Sequence, residues 1–312
     1  VYSPYNEIDY LRNIKFYDAF LVKQKSLASK IQKGNRNYFS QLQWSGFENP
    51  DNYISPWFDD FKKSKMKILI HLHIYYVDLL QEISEYLKNI GYDFDILITS
   101  SVSEVLDIAS VYIENSIDNV DKIIIKKVPN RGRDVAPWII ETKIIADQYD
   151  YILHIHGKKS VHADKVYADN WRKHLYSSLM TNNNVNKIFN IFSHERDVGM
   201  IFPRPYDAVV NIWDKLNVPV IGDNESVMLM LMHKLNYNYD DILRSDLLFS
   251  VGTMMWYRPE AMKSLYEIRL TYNDFPEEPI GIDGTLAHAI ERSMKIICET
   301  SGYKAKILSD HI

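Results

Sequence analysis

The sequence predicts an α/β fold in which a mostly parallel sheet is flanked by helices. From Met66 onwards, short apolar runs alternate with amphipathic stretches in the order β-α-β-α-β-α-β. The runs are almost continuously apolar, which is typical of strands covered on both faces. Strands that are joined by helices in this way pair in parallel through right-handed crossovers.

The first half of this region supplies four predicted strands, at residues 67–73, 94–99, 122–126 and 151–156. The helix predicted at residues 77–90 should end at Gly91, because glycine readily adopts the left-handed conformation that closes a helix. Ser103 is expected to cap the second helix, and a third helix is expected at residues 136–146.

The second half is less regular. Helices are predicted at residues 171–180 and 184–192, and strands at residues 198–203 and 247–256. A further helix should begin at Pro259, since proline is favoured in the first turn. The last predicted helix spans residues 284–294, with Asp283 in the N-cap position.

Residues 1–65 are expected to form a helical and irregular N-terminal extension to the domain at residues 66–312. Apolar and aromatic residues recur near helical spacing between residues 8 and 31, and an aromatic-rich segment follows a polar break. The chain begins with Val1 rather than Met, so we expect it to be part of a larger multidomain chain.

Composition limits the partners and the location of the protein. The 312 residues carry a formal net charge of −5, which gives no electrostatic basis for binding nucleic acid. Cys298 is the only cysteine, as is common in the reducing cytoplasm. No apolar run is long enough to span a bilayer, and no secretory signal is visible. We expect a cytoplasmic protein that can make peripheral contact with the inner face of the membrane.

A polar cluster follows the fourth predicted strand, where ligands bind in parallel sheets. Its members are His154, His156, Lys158, Lys159 and Ser160. Alternate residues of a strand share a face, so the two imidazoles should project together. With the two ammonium groups they favour an anion such as a diphosphate. A metal-binding pair of histidines, or one buried histidine beside two surface lysines, is the alternative.

The loop before the third helix carries Asn130, Arg131, Arg133 and Asp134. Arginine side chains match phosphate oxygens bidentately, and the carboxylate can hold an arginine or accept hydrogen bonds from sugar hydroxyls. This pattern indicates a binding loop. The alternative is a solvated loop in which Asp134 caps the helix.

Residues 275–292 contain four carboxylates in a span that turns into a helix. Asp283 is our candidate for a general base that deprotonates an acceptor hydroxyl, and helix capping is its alternative role. His288 lies inside the helix, where it either packs or faces the cleft.

Residues 250–259 place Trp256 and Arg258 at the end of a predicted strand. An aromatic ring and an arginine there can form a platform for a sugar acceptor. Packing of the aromatic and methionine side chains in the core is the alternative.

Four segments together resemble the rhamnan synthesis protein F family of bacterial polysaccharide glycosyltransferases. They are Asn-Arg-Gly-Arg-Asp-Val-Ala-Pro at 130–137, Tyr-Ile-Leu-His-Ile-His-Gly-Lys-Lys-Ser at 151–160, Gly-Thr-Met-Met-Trp-Tyr-Arg-Pro-Glu-Ala at 252–261, and Asp-Gly-Thr-Leu-Ala-His-Ala-Ile-Glu-Arg at 283–292. The resemblance covers residues 66–303. It implies transfer of a sugar, often rhamnose from dTDP-rhamnose, onto a growing cell-surface glycan.

The order of elements also resembles the GT-A glycosyltransferase fold, in which the corresponding strand usually ends in Asp-x-Asp and holds a divalent metal ion. Here the strand ends in His154-Ile-His156. We therefore expect inverting, metal-independent transfer without a cofactor, in which fixed cations neutralise the leaving group. The expected partners are a nucleotide-sugar donor, with dTDP-sugars favoured, and a glycan or lipid-linked glycan acceptor.

We expect the following roles. The catalytic residues are Asp283 as base and His156 and Lys158 at the departing diphosphate. The donor is bound by His73, Asn130, Arg131, Arg133, Asp134, His154, Lys159 and Ser160. The acceptor is bound by Trp256, Arg258 and His288, and no residue is assigned to a metal. Two other functions remain open: a metal-dependent phosphoesterase built on the His and Asp residues, and a non-catalytic glycan-binding domain.

Overall fold

The computed structural model describes residues 66–157, 159, 165–210, 222–237, 249–281 and 283–308. The predicted N-terminal extension at residues 1–65 lies outside these residues. Among the described helices, none combines the length and the apolar character that crossing a membrane requires.

Within the described residues, seven strands form one sheet in the order β3-β2-β1-β4-β6-β5-β7. The strands are β1 (Ile68–His73), β2 (Phe94–Ser100), β3 (Val120–Lys127), β4 (Tyr151–His156), β5 (Val198–Pro203), β6 (Met255–Tyr257) and β7 (Lys304–Leu308). Strand β6 is antiparallel to both of its neighbours, and the other pairings are parallel. The predicted α/β class with a mostly parallel sheet is confirmed.

The α-helices of the described residues flank this sheet. They are α1 (Leu80–Leu87), α2 (Ser103–Ser116), α3 (Val135–Ile145), α4 (Lys165–Met180), α5 (Asn182–His194), α6 (Glu225–Lys234), α7 (Lys263–Glu267), α8 (Leu286–Arg292) and α9 (Met294–Thr300). Short 3₁₀ turns precede α1 and α7, so the helices predicted from residues 77 and 259 each begin as 3₁₀.

The central strands are buried because apolar side chains occupy both of their faces. Ile68, Ile70 and Leu72 of β1 pack in one core cluster with α1 and α2. Leu69 lies in the other cluster, with Trp138 of α3 and residues of α6, α8 and α9. Burying an aliphatic side chain stabilises a fold by about 1.5–3 kcal/mol, so these two layers hold the sheet in place.

The structure corrects three local predictions. Ser103 is the first residue of α2 rather than its cap, and no side chain caps this helix. Of the strand predicted at residues 247–256, the described part, from Phe249, becomes a strand only at Met255, because the chain turns before it. Gly252 and Thr253 have φ of 107° and 58°, which a strand cannot contain. Finally, Thr285 and not Asp283 occupies the N-cap position of α8.

Candidate active site

Polar side chains line one face of three neighbouring strands where those strands end. His71 pairs in register with His154, His73 pairs with His156, and Thr99 of β2 pairs with His73. Alternate strand residues share a face, so all of these side chains project towards the layer that contains α3. This group of residues, His71, His73, Thr99, His154 and His156, is called the polar ladder below. It lies at the carboxyl edge of the sheet, the edge at which α/β proteins bind ligands.

Hydrogen bonds join the members of the polar ladder. The Thr99 hydroxyl lies 2.9 Å from His71 Nε2 and 2.9 Å from His73 Nδ1. The Nδ1 atoms of His71 and His154 are 2.9 Å apart, and the planes of the two rings differ by only 19°. Trp138 of α3 lies parallel to His154, with ring centroids 5.0 Å apart. These contacts fix the orientation of the buried His71 and His154 rings.

Asp134 completes the polar ladder from the loop before α3. Its Oδ2 atom lies 3.5 Å from His154 Nε2 and 3.7 Å from His156 Nε2. Burial alone would raise the pKa of Asp134, but the interactions with His156 and His154 outweigh it and lower that pKa. Asp134 stands at the N-cap position of α3 without capping the helix by its side chain. Its carboxylate instead faces the Nε2 atoms of His154 and His156.

The predicted cationic character of the imidazoles needs a correction. Burial lowers the pKa of His73 and of His154 to about 4, and it also lowers the pKa of His71. At neutral pH these rings are uncharged, so they cannot act as the permanent positive groups that the sequence suggested. His71, His73 and His154 therefore supply no fixed positive charge to an anionic ligand at this edge.

His156 links the polar ladder to the turn before β6. Its Nε2 atom donates to the carbonyl of Gly252 over 2.9 Å, and the Gly252 amide donates to Glu291 of α8 over 2.9 Å. An alanine at position 252 would place its Cβ 2.8 Å from Leu175. Glycine is therefore required here both for the positive φ and for the close approach of α4.

Arg131 and Arg133 bind the segment before α8. Arg131 donates to the carbonyl of Phe275 over 2.9 Å and forms an ion pair with Glu277. The Arg133 amide donates to Glu278, and its guanidinium donates to the carbonyl of Gly281 over 3.1 Å. The loop and the segment therefore form one unit. The carbonyl of Asn130 also accepts from the Glu278 amide.

Arg133 also reaches His288. Its guanidinium lies 3.3 Å from His288 Nε2, while Nδ1 of that ring lies 2.8 Å from the Thr285 hydroxyl. Arg133 has a φ of 53°, which is costly for a residue with a side chain and recurs at functional sites. One short loop thus contacts His288 through Arg133 and the polar ladder through the adjacent Asp134.

Asp283 is held by three groups and caps no helix. Its Oδ1 accepts from the Asn224 side chain and lies 3.1 Å from the Arg292 guanidinium, and its Oδ2 accepts from the Asp223 amide over 3.1 Å. The side chain remains 21% exposed. A side chain at position 222 would not fit, because its Cβ would fall 2.0 Å from Oδ2 of this carboxylate. These three partners fix the direction of the Asp283 carboxylate while the side chain stays partly exposed.

The predicted lysine cluster is only partly described. Lys159 forms an ion pair of 2.5 Å with Asp78 and lies 4.5 Å from the centre of the Tyr76 ring. It therefore extends towards the segment after β1. Lys158 and Ser160 lie outside the described residues.

The structure does not bring Trp256 and Arg258 to this edge. Trp256 is fully buried, and its indole donates to the carbonyl of Leu179, so its ring cannot receive an acceptor sugar. Arg258 bonds the carbonyl of Val198 and the hydroxyl of Tyr151. Tyr151 begins β4, so Arg258 lies at the opposite edge from His156. Trp256 and Arg258 are structural residues, and the expected acceptor platform is wrong.

The sequence reasoning missed His71, Thr99, Trp138, Glu291 and Arg292. His71 and His73 are two residues apart in the first predicted strand, which already places both on one face. Thr99 ends the next strand at the same edge. These two signals were present in the sequence. The others depend on contacts between distant parts of the chain.

The donors at the end of β4 do not fit a divalent ion held by two carboxylates. Asp134 already lies within ion-pair distance of both imidazoles, and the proton on His156 Nε2 points to a carbonyl. In the part of the chain that the structure describes, no three His, Cys, Asp or Glu side chains are arranged to hold a metal ion.

The chain is similar to known proteins over most of its length. The model of a family described as "Rhamnan synthesis protein F" matches residues 8–303. Two similar relatives, each called "Uncharacterized protein WxcX", come from the B100 and ATCC 33913 strains of Xanthomonas campestris pv. campestris. Each is 29% identical over 234 residues, which is 75% of this chain and 31% of the relative. The chain thus spans about a third of the length of these relatives.

Proposed function

Because the chain belongs to the rhamnan synthesis protein F family, we propose that it is a glycosyltransferase domain of the GT-A type. It transfers a sugar from a nucleotide-sugar donor during synthesis of a bacterial cell-surface polysaccharide. The observation that carries this proposal is the polar ladder at the carboxyl edge of β1, β2 and β4, with Asp134 beside it and Arg133 preceding Asp134 in the chain. Parallel sheets bind nucleotides at this edge.

The donor proposed is dTDP-rhamnose, and the acceptor is a glycan or lipid-linked glycan. The family's name supports rhamnose. The polar atoms of Asn130, Asp134 and the polar ladder suit the hydroxyl and amide groups of a nucleotide sugar better than they suit an apolar ligand.

The departing diphosphate needs positive charge, which the neutral rings of His71, His73 and His154 do not supply. We assign this role to Arg133 and to Lys158, which follows β4 by two residues. The Arg133 guanidinium is held by His288 and by the carbonyl of Gly281, and its backbone amide donates to Glu278. A guanidinium fixed in this way stabilises charge that grows on the leaving group without reorganising, as a metal ion would. Transfer is therefore proposed to be independent of metal.

Asp283 is proposed as the general base of an inverting displacement. Its orientation by Asn224 and the Asp223 amide keeps one face exposed, where an acceptor hydroxyl can approach. Its ion pair with Arg292, over 3.1 Å, helps to fix the direction of the carboxylate. The His288 ring contacts Arg133 through Nε2 and Thr285 through Nδ1, and it is proposed to contact the acceptor.

The experiment is a thermal unfolding screen of the whole chain against dTDP, UDP, CDP and GDP, each with EDTA and with Mg²⁺. A ligand that binds only the folded state stabilises it by about 2.7 kcal/mol at a concentration of 100 times its Kd. We expect a pyrimidine nucleotide diphosphate to raise the unfolding temperature equally with EDTA and with Mg²⁺. Failure of all four nucleotides to raise it would contradict the proposed function.

A further inference from the structure

We propose that a hydrogen-bond relay from Asp134 to His73 fixes the proton of the His73 ring on Nδ1 and leaves Nε2 as a permanent acceptor for the donor nucleotide. The proposal rests on the nucleotide-sugar function above and adds what the site recognises. The recognised group is an N–H or O–H hydrogen-bond donor. The imide N–H of thymine or uracil and a ribose hydroxyl both have this chemistry.

The relay begins at a carboxylate. An ionised carboxyl group can only accept hydrogen bonds, and the neighbouring histidines lower the pKa of Asp134 despite its burial. The His154 Nε2 atom, 3.5 Å from Asp134 Oδ2, must therefore carry a proton. Because burial lowers the pKa of His154 to about 4, the neutral ring has no second proton, and its Nδ1 atom is bare.

The next two steps follow from the same count of protons. Bare Nδ1 of His154 lies 2.9 Å from Nδ1 of His71, so the His71 atom must be the donor. Burial lowers the pKa of His71 as well, so this neutral ring leaves its Nε2 bare. That atom lies 2.9 Å from the Thr99 hydroxyl, which must donate to it. A hydroxyl has one proton, and here it is used.

The relay ends at His73. The Thr99 oxygen has only lone pairs left, so His73 Nδ1, which is 2.9 Å away, must donate to it. Burial lowers the pKa of His73 to about 4, so the ring is neutral and its Nε2 is bare. Among the residues that the structure describes, no group forms a hydrogen bond to this atom. His73 is partly exposed, whereas His71, Thr99 and His154 are fully buried.

This orientation has a chemical consequence for the ligand. A bare Nε2 at the carboxyl edge of β1 attracts an N–H or O–H group and repels a lone pair. It thus accepts the imide of thymine and uracil, and it disfavours the bare ring nitrogen at the same position of cytosine. Asp134 and Thr99 are positioning residues in this scheme, because they act on the ligand only through His73.

The test is a long-range ¹H–¹⁵N correlation spectrum of the whole chain at neutral pH, with labelled histidine and with His73 assigned by the loss of its signals in His73→Gln. We expect Nδ1 protonated and Nε2 bare. If the His73 ring of the unsubstituted protein is protonated on Nε2, or on both nitrogens, the proposal is wrong.

Matched substitutions test the relay itself. Thr99→Val keeps the shape but removes the hydroxyl, so the proton of His73 should move to Nε2, whereas Thr99→Ser should leave it on Nδ1. Unfolding curves confirm that each variant is folded. Unchanged protonation in a folded Thr99→Val protein would show that the relay does not orient His73. If that variant does not fold, the spectrum of the unsubstituted protein still decides.

Nucleotide affinity separates this proposal from the proposed function. Thr99→Val should weaken binding of the nucleoside diphosphate by about tenfold, the factor that corresponds to roughly 1.4 kcal/mol, and Thr99→Ser should not.

If the imide is the recognised group, UDP binds more tightly than CDP, and only UDP loses affinity in Thr99→Val. If a ribose hydroxyl is recognised, both lose it equally. Binding that is unaffected by Thr99→Val overturns recognition by His73 but leaves the glycosyltransferase proposal intact. If the spectrum is as expected but no nucleotide binds, the orientation of His73 stands and the glycosyltransferase proposal fails.

Discussion

The buried neutral histidines should make the stability of the fold depend on pH in a range where carboxylates contribute little. The pKa of His73 and of His154 is lowered from 6.5 to about 4 in the folded protein. Between these values the unfolded chain binds more protons than the folded chain, so the free energy of unfolding falls as the pH is lowered. This stability is fully present above pH 6.5 and is lost as the pH falls towards 4.

The magnitude follows from the two pKa values. Lowering the pH from about 7.5 to about 5 should cost roughly 2 kcal/mol of unfolding free energy for each of the two rings. Asp134 does not obscure the effect, because its pKa is lowered from 3.8 and its contribution is lost only at still lower pH. These two rings alone account for about 4 kcal/mol, which is a large part of the stability of an ordinary domain, and His71, whose pKa is also lowered by burial, adds to the loss.

The assay is urea unfolding at both pH values, followed by tryptophan fluorescence. His73→Gln should reduce the pH-dependent loss by roughly 2 kcal/mol, because it removes one of the buried rings that must take up a proton on unfolding. His233→Gln, at an exposed position of α6, is the matched control and should leave the loss unchanged. A loss below about 1 kcal/mol, or equal losses in the two variants, would refute the assignment of neutral buried imidazoles.

Three further predictions concern the loop, the base and the metal. Gly132→Ala should lower the free energy of unfolding by about 1–3 kcal/mol, because its φ is 65° and a Cβ would meet Phe275 at 2.6 Å. Gly302→Ala, with a φ of 86° and open space around it, isolates the clash and should cost less by unfolding measurements. Asp283→Asn should reduce turnover by about 10²-fold or more while nucleotide affinity is retained, whereas near-normal turnover would remove Asp283 as the base. EDTA should leave sugar transfer unchanged, and restoration of lost activity by Mg²⁺ or Mn²⁺ would contradict metal independence.

The parallel half of the fold was predictable because its signals are local. The strands that became β1, β2, β3 and β4 are apolar runs of the expected length, and each of the first three is followed by a helix. The clustering of Asp134 and His156 at one edge also followed, since the carboxyl ends of parallel strands lie together.

The antiparallel insertion of β6 could not be predicted from the sequence. As a result, Trp256 and Arg258 were predicted at the wrong edge of the sheet. The apolar run before Met255 suggests a long strand, but positive φ at Gly252 and Thr253 ends it early. Because β6 runs against β4, its last residues lie at the edge opposite the polar ladder. Arg258 therefore falls far along the sheet from His156, although the two would share an edge if β6 were parallel.

The charge of the site was also beyond the sequence. Whether a histidine is cationic depends on its burial and on which groups face it. Neither property can be derived from the sequence His154-Ile-His156 alone. The role of Asp283 depended likewise on Asn224 and Arg292, which the fold brings to it from other elements.

The most direct test of the account is a structure of the whole chain with bound dTDP or a dTDP-sugar. The account predicts that the nucleotide lies at the carboxyl edge of β1 and β2, with an N–H or O–H group within hydrogen-bonding distance of His73 Nε2 and the diphosphate within reach of Arg133. A nucleotide bound elsewhere on the protein, with the polar ladder and Arg133 untouched, would contradict it.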